Sequence, residues 1–142
     1  MVDLPPILVV DDEANDLLLF RRAATKAGIA HPIETASDGE EAIGRLRQVA
    51  APVPLVVVLD LKMPRRSGFE VLEWIRAHTG LRRLPVVVFT SSAQDGDVNR
   101  ALDLGASSYL VKPVSSAELV EVVTLLATYW GRNPRPTLTP GG

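Results

Sequence analysis

Residues able to do chemistry recur in this chain directly after short apolar runs. Asp11, Asp12 and Glu13 follow Ile7–Val10, and Asp60 follows Leu55–Leu59 (LVVVL). Thr90, Ser91 and Ser92 follow Val86–Phe89, and Lys112-Pro113 follows Tyr109–Val111. If these runs are neighbouring strands of one sheet, carboxylates, hydroxyls and an ammonium converge on a single edge. Two carboxylates about 4 Å apart repel by roughly 4 kcal/mol at an effective dielectric of about 20. A stable fold avoids such crowding unless a cation relieves it. Hard oxygen donors, few in number and partly hydrated, suit Mg²⁺ better than a soft metal. Any one of these acids taken alone reads as a helix cap, Thr90 alone as another cap, and Lys112 alone as a solvated lysine before a turn. Joint placement at four strand ends is what capping does not predict.

The elements that must position these residues alternate regularly. Ile7–Val10, Leu55–Leu59 and Val86–Phe89 are continuous apolar runs, the pattern of strands covered on both faces. Ile33–Ala36 and Tyr109–Val111 are weaker strands. Leu17, Phe20, Ala24 and Ala27 recur at helical spacing, with Gly28 as a C-terminal stop. Ser37-Asp38-Gly39 turns into a helix carrying Ala42, Ile43 and Leu46, and Gly68 opens one carrying Leu72 and Ile75. A helix around Asp97–Leu104 ends at Gly105. The last, Ser115–Trp130, has Leu119, Val122, Val123 and Leu126 as its core stripe, and Val120, Leu125, Tyr129 and Trp130 as apolar surface off that stripe. Five strands alternating with five helices imply an α/β fold, a parallel sheet with helices on both faces. In such sheets ligands gather at the carboxyl ends of the strands.

Composition narrows the function classes. The 142 residues, 46% hydrophobic and 23% charged, suit one compact soluble domain. A formal net charge of −2 gives no nucleic-acid signal. The absence of cysteine excludes disulfides, thiolate metal sites and cysteine nucleophiles, and His31 and His78 alone make a poor zinc site. The start, MVDLPPILVVDDE, lacks the features of a signal peptide, and no apolar stretch is long enough to span a membrane. The expected location is cytoplasmic. A folded domain is expected over 1–130, followed by a Pro/Gly-rich tail over 131–142.

The acidic pair in VVDDE, the run VVVLDLKMP followed by Gly68, the run VVVFTSS and the segment SSYLVKP together resemble a response-regulator receiver domain from Ile7 to Trp130. The spacing from Asp60 to Thr90 to Lys112 agrees with that family's pattern, as do ASDGEEAI and LGASSYLVKPV. DDEAND, the long last helix and Tyr129-Trp130 before a Pro-rich tail are similar to stand-alone regulators served by bacterial phytochromes. The resemblance implies the flavodoxin-like, doubly wound fold of chemotaxis regulators, with strand order 2-1-3-4-5. It implies Asp60 as phosphoacceptor, Asp12 as direct Mg²⁺ ligand, Asp11 as its partly water-mediated neighbour, and the Lys62 backbone carbonyl as a further ligand. It also implies that Thr90 meets the phosphoryl group, Lys112 pairs with it, and Tyr109 changes rotamer with the switch. The implied partners are a sensor histidine kinase, a bacteriophytochrome among them, and a downstream protein target, with no nucleic acid and no membrane. A homodimer through helix 4, strand 5, helix 5 and the tail is a further expectation.

The physical account agrees with these roles. Phosphoryl transfer needs an in-line nucleophile and positive charge on the equatorial oxygens more than covalent work by the protein. The expected protein is therefore a phosphoacceptor switch that supports its own phosphorylation and dephosphorylation, not a turnover enzyme. One departure is Lys62, where the family often carries Asn or another polar residue; its ammonium could reach the phosphoryl group or block attacking water. Ser92 occupies the other commonly rate-setting position. Three rival readings are weaker. An aspartyl phosphatase wants a second acid where Lys62 stands, and a nucleotide or flavin domain wants a Gly-rich loop where DDEAND stands. A receiver-shaped interaction module that is never phosphorylated has no need of the full residue set.

Overall fold

A computed structural model describes residues 4–91 and 94–132. Ser92 and residues 133–142, which make up most of the expected tail, lie outside them. The elements run β1 (Ile7–Val10), α1 (Ala14–Lys26), β2 (Ile33–Ala36), α2 (Gly39–Leu46), β3 (Val56–Leu59), α3 (Gly68–Ala77), β4 (Val86–Thr90), α4 (Asp95–Asp103), β5 (Ser108–Val111) and α5 (Ser116–Arg132). The strands form one parallel sheet in the order β2-β1-β3-β4-β5, as expected. Helix α4 starts at Asp95, before the expected Asp97, and both acids sit in its first turn, where the helix dipole favours negative charge. Gly28 takes a φ of +70° just past α1, the left-handed stop that glycine supplies without steric cost. A single 3₁₀ turn, Thr79–Leu81, was not anticipated, being too short to show a period.

Strand residues alternate between two cores. Ile7, Val9, Val56, Val58, Val87 and Phe89 pack with Phe20 and Ala24 of α1 and with Val123 and Leu126 of α5. Leu8, Val10, Val57, Leu59 and Val86 pack on the opposite face with Ala42 and Ile43 of α2 and Leu72 and Ile75 of α3. Burial on both faces is why the strands read as unbroken apolar runs. Helix α5 corrects one expectation. Val120 and Trp130 are packed against the α1–α5 core, whereas Leu125 and Tyr129 are 67% and 61% exposed. The reason is helical spacing: Val120, Val123, Ala127 and Trp130 share one face.

Register carries the polar residues to a common edge. Val10 pairs with Leu59, so Asp11 and Asp60 leave the sheet side by side. The Asp60 N–H donates to the Val10 carbonyl (3.0 Å), and the Asp11 N–H to that of Ala36 (3.0 Å). Thr90 pairs with Val111, and the Lys112 N–H donates to the Thr90 carbonyl at 2.8 Å.

The loop after β3 is clamped at both ends. Arg65, at φ +66°, pairs with Asp38, and Arg66 with Glu40, tying the loop to the start of α2. Asp38 also caps α2 by accepting from the Glu41 N–H at 2.8 Å. At the far end, the Gly68 N–H donates to the Leu61 carbonyl at 2.8 Å. A Cβ on Gly68 would stand 2.1 Å from the Asp60 carbonyl oxygen and 2.7 Å from the Leu61 Cα. Backbone atoms cannot yield to it as a side chain would. Gly68→Ala is therefore expected to lower unfolding free energy by about 1–3 kcal/mol, the usual cost of overpacking, read as a lowered urea midpoint at unchanged slope. A midpoint equal to wild type would show that α3 can retreat from the strand end without cost.

Candidate functional site

Asp11 and Asp60 are buried at the ends of β1 and β3, 4% and 8% exposed, while Asp12 faces solvent. One carboxylate oxygen from each of the three lies within 4.8 Å of the others. Each buried acid has one oxygen held by the backbone. Asp60 Oδ1 accepts from the Leu61 N–H at 2.8 Å, and Asp11 Oδ1 from the Glu13 N–H at 3.0 Å. Their other oxygens face Lys112. The set fits a hard divalent cation: all donors are oxygens, two are preorganised by burial, and the exposed Asp12 leaves a side open to water.

Lys112 crosses to this cluster from the end of β5. Its Nζ donates to Asp11 Oδ2 at 2.6 Å, to Asp16 Oδ2 at 2.8 Å and to Asp60 Oδ2 at 3.4 Å. Burial works against the ammonium, but the bonds to Asp11 and Asp16, with the field of Asp60, outweigh it and hold Lys112 above the ordinary lysine range. Burial also pushes the Asp11 carboxyl upward. Lys112 and the Glu13 N–H oppose that push, and the neighbouring Asp60 charge adds to it. Asp16 was not singled out from the sequence. An acid in the first turn of a helix reads as a partner of the helix dipole; its place one helical turn after Asp12 was the available signal.

The remaining expected residues surround this group. Thr90 is the last residue of β4 and is 1% exposed. Tyr109 pairs in register with Val88, two positions before Thr90 along β4, so strand alternation puts Val88, Thr90 and Tyr109 on one face of the sheet. Tyr109 packs against the small core cluster formed by Leu61, Phe69, Val88 and Ala101. Burial, then the charges of Asp97 and Asp60, raise its hydroxyl above the ordinary tyrosine value. Lys62 directs its exposed ammonium toward Asp97 of α4, 4.0 Å away. Ser91 is exposed.

Residues 7–124 match the response regulator receiver domain family. The probable methanogenesis regulatory protein FilR2 of Methanothrix harundinacea is 38% identical over 136 residues, covering 92% of this chain and 88% of its own. The response regulator Rcp1 of Synechocystis sp. is 33% identical over 132 residues, covering 89% and 90%. The crystal structure of the Mn²⁺-bound form of Rcp1 superposes with a TM-score of 0.82 at 29% identity, over 94% of this chain and 100% of that one. The bacteriophytochrome response regulator AtBRR superposes with a TM-score of 0.73 at 34% identity, over 94% and 100%. Among the described residues, no helix is long and apolar enough to cross a membrane. With the strand order of a doubly wound parallel sheet and a family match over most of its length, this chain belongs to the response regulator receiver domain family.

Proposed function

We propose that this protein is a phosphoacceptor switch of a two-component system, in which Asp60 receives a phosphoryl group from a sensor histidine kinase. The observation that carries the reading is Asp60 Oδ2, an oxygen facing Lys112 at 3.4 Å while its twin accepts the Leu61 N–H. That oxygen is the nucleophile. It attacks phosphorus in line with the departing nitrogen of a phosphohistidine, so that an acyl phosphate forms as the P–N bond breaks. Asp11, Asp12, Asp60 and the Lys62 carbonyl would hold Mg²⁺, which would supply positive charge to the transferring phosphoryl group. Lys112 adds its own charge on the other side. A receiver-shaped module that only docks partners would have no need of Asp60, Thr90 and Lys112 together, and the protein acts as a switch rather than by turnover.

The phosphate is read through Thr90 and Tyr109. A shift of a two-state population from about 1:99 to 99:1 takes about 5.5 kcal/mol of differential interaction. One charge-assisted hydrogen bond to Thr90 contributes about 1.5–3 kcal/mol, so the Lys112 pairing and loop ordering must contribute the rest. The likeness to AtBRR supports a bacteriophytochrome as the kinase. Output passes to a partner protein and to a second copy through the α4–β5–α5 face, where Leu102, Val111, Leu125 and Tyr129 are exposed; the tail's share of that interface lies outside the described residues.

Three measurements test this reading. With acetyl phosphate and Mg²⁺, mass spectrometry should place the phosphoryl adduct on Asp60 alone. Asp60→Asn should lose it, and Asp12→Ala should label weakly with no response to Mg²⁺. Undiminished labelling of Asp60→Asn would refute the assignment.

The second uses the raised Asp11 carboxyl. A raised acid stabilises the metal-free fold below its unfolded value of about 3.9, and that contribution is lost as pH climbs through the folded value. The raised Lys112 contribution persists through neutral pH and fades only above the ordinary lysine range. A divalent cation would offset the Asp11 loss, so the rise in Tm caused by Mg²⁺ should be larger at about pH 7.5 than at about pH 4, near the unfolded Asp value, at constant ionic strength. An equal rise at both would contradict the site.

The third is light scattering at tens of micromolar, which should find a dimer weakened by Tyr129→Glu and Leu125→Glu. A strict monomer in both phosphorylation states would remove the interface.

A further inference from the structure

The expected machinery gives Asp16 no role, yet its carboxylate binds the same ammonium that serves Asp60. Lys112 Nζ lies 2.8 Å from Asp16 Oδ2 and 2.6 Å from Asp11 Oδ2, but 3.4 Å from Asp60 Oδ2. The lysine therefore rests toward α1 and away from the phosphoacceptor. We infer that Asp16 is a positioning residue that holds Lys112 on the α1 side of the site and so limits its competition with a divalent cation for Asp11 and Asp60. The inference rests on the Mg²⁺-binding part of the reading above.

The argument is one of counting donors and acceptors. An ammonium has three N–H donors, and here three carboxylates surround it. With Asp16 in place, one donor is committed to α1, and the bond toward Asp60 stays long. Without Asp16, that donor turns to the acceptors that remain, Asp60 and Asp11, which are two of the oxygens a cation needs. The Lys112 side chain is only 16% exposed, so retreat into water is not its cheapest alternative. A cation entering the Asp16-deficient site would have to displace a lysine seated more squarely on its ligands.

The test is calorimetric titration of the full chain with Mg²⁺ alone. Asp16→Asn should bind about tenfold more weakly than wild type, near the lower end of what one charge-assisted hydrogen bond is worth. Its carboxylate is partly exposed and the change is nearly isosteric, so the fold should persist; Asp16→Glu should recover part of the affinity. Simple loss of negative charge would also weaken binding, and two controls separate it. Glu13→Gln removes a charge from an exposed neighbour and should shift affinity by less than about twofold, as expected for a screened surface charge. In a Lys112→Met background, Asp16→Asn should have no further effect, because its action passes through the lysine. Equal weakening by Glu13→Gln, or a persisting effect of Asp16→Asn in Lys112→Met, would overturn the inference. So would wild-type affinity in Asp16→Asn while Asp12→Ala loses binding, and that result leaves the Mg²⁺ site standing. Wild-type protein that binds no Mg²⁺ would overturn both.

Discussion

Mutual repulsion among Asp11, Asp12 and Asp60 is the constraint around which the upper edge of this domain is built. Their oxygens are drawn within 4.8 Å of one another by strand register, and two of the three are buried. Such a group persists in a fold only with positive charge beside it. Lys112 supplies that charge, which is why the last strand must end where it does and why the ammonium is held so firmly. Burial above all, with a smaller push from the Asp60 charge, still leaves the Asp11 carboxyl resisting ionisation.

Holding those charges in place falls to groups with no chemistry of their own. Gly68 lets α3 begin against the Asp60 backbone, where any side chain would collide with main-chain atoms. Arg65 and Arg66 fasten the intervening loop to α2, and Asp38 serves both as helix cap and as the arginine's partner. Arg76 does similar work at the opposite end of α3, donating to the carbonyls of Leu84 and Gly105 and so fixing the entries to β4 and β5. Together these contacts form a frame around the β3–α3 loop and the entries to β4 and β5. The side toward α4 is different. There Lys62 reaches Asp97 across an exposed gap, and Tyr109 feels the charges of both Asp97 and Asp60.

Much of this was legible in the sequence for a physical reason. Parallel strands buried on both faces leave continuous apolar runs, helices leave a period of 3.6, and glycines mark the stops, so element order and sheet type follow from local pattern. Because every strand of such a sheet points the same way, residues just past each run fall on one edge, and Asp11, Asp12, Asp60, Thr90 and Lys112 could be grouped by their positions alone. The resemblance to receiver domains then supplied the strand order and the individual roles. Local pattern also misled along α5: Val120 and Trp130 were expected off the core stripe, yet they share the helical face of Val123 and Ala127 and pack against the core.

Tertiary structure alone decided which charged groups meet. Asp16 and Lys112 are 96 residues apart and touch only because α1 and β5 are brought past the same strand ends. Nothing in the composition of either segment distinguishes that acid from a helix-dipole partner. The direction of Lys62 toward Asp97, rather than over Asp60, depends likewise on where α4 begins in space. Periodicity and strand-end position are properties of the chain and can be read along it. Ion pairing among long side chains depends on distances set by packing between elements far apart in sequence, and no local pattern encodes them.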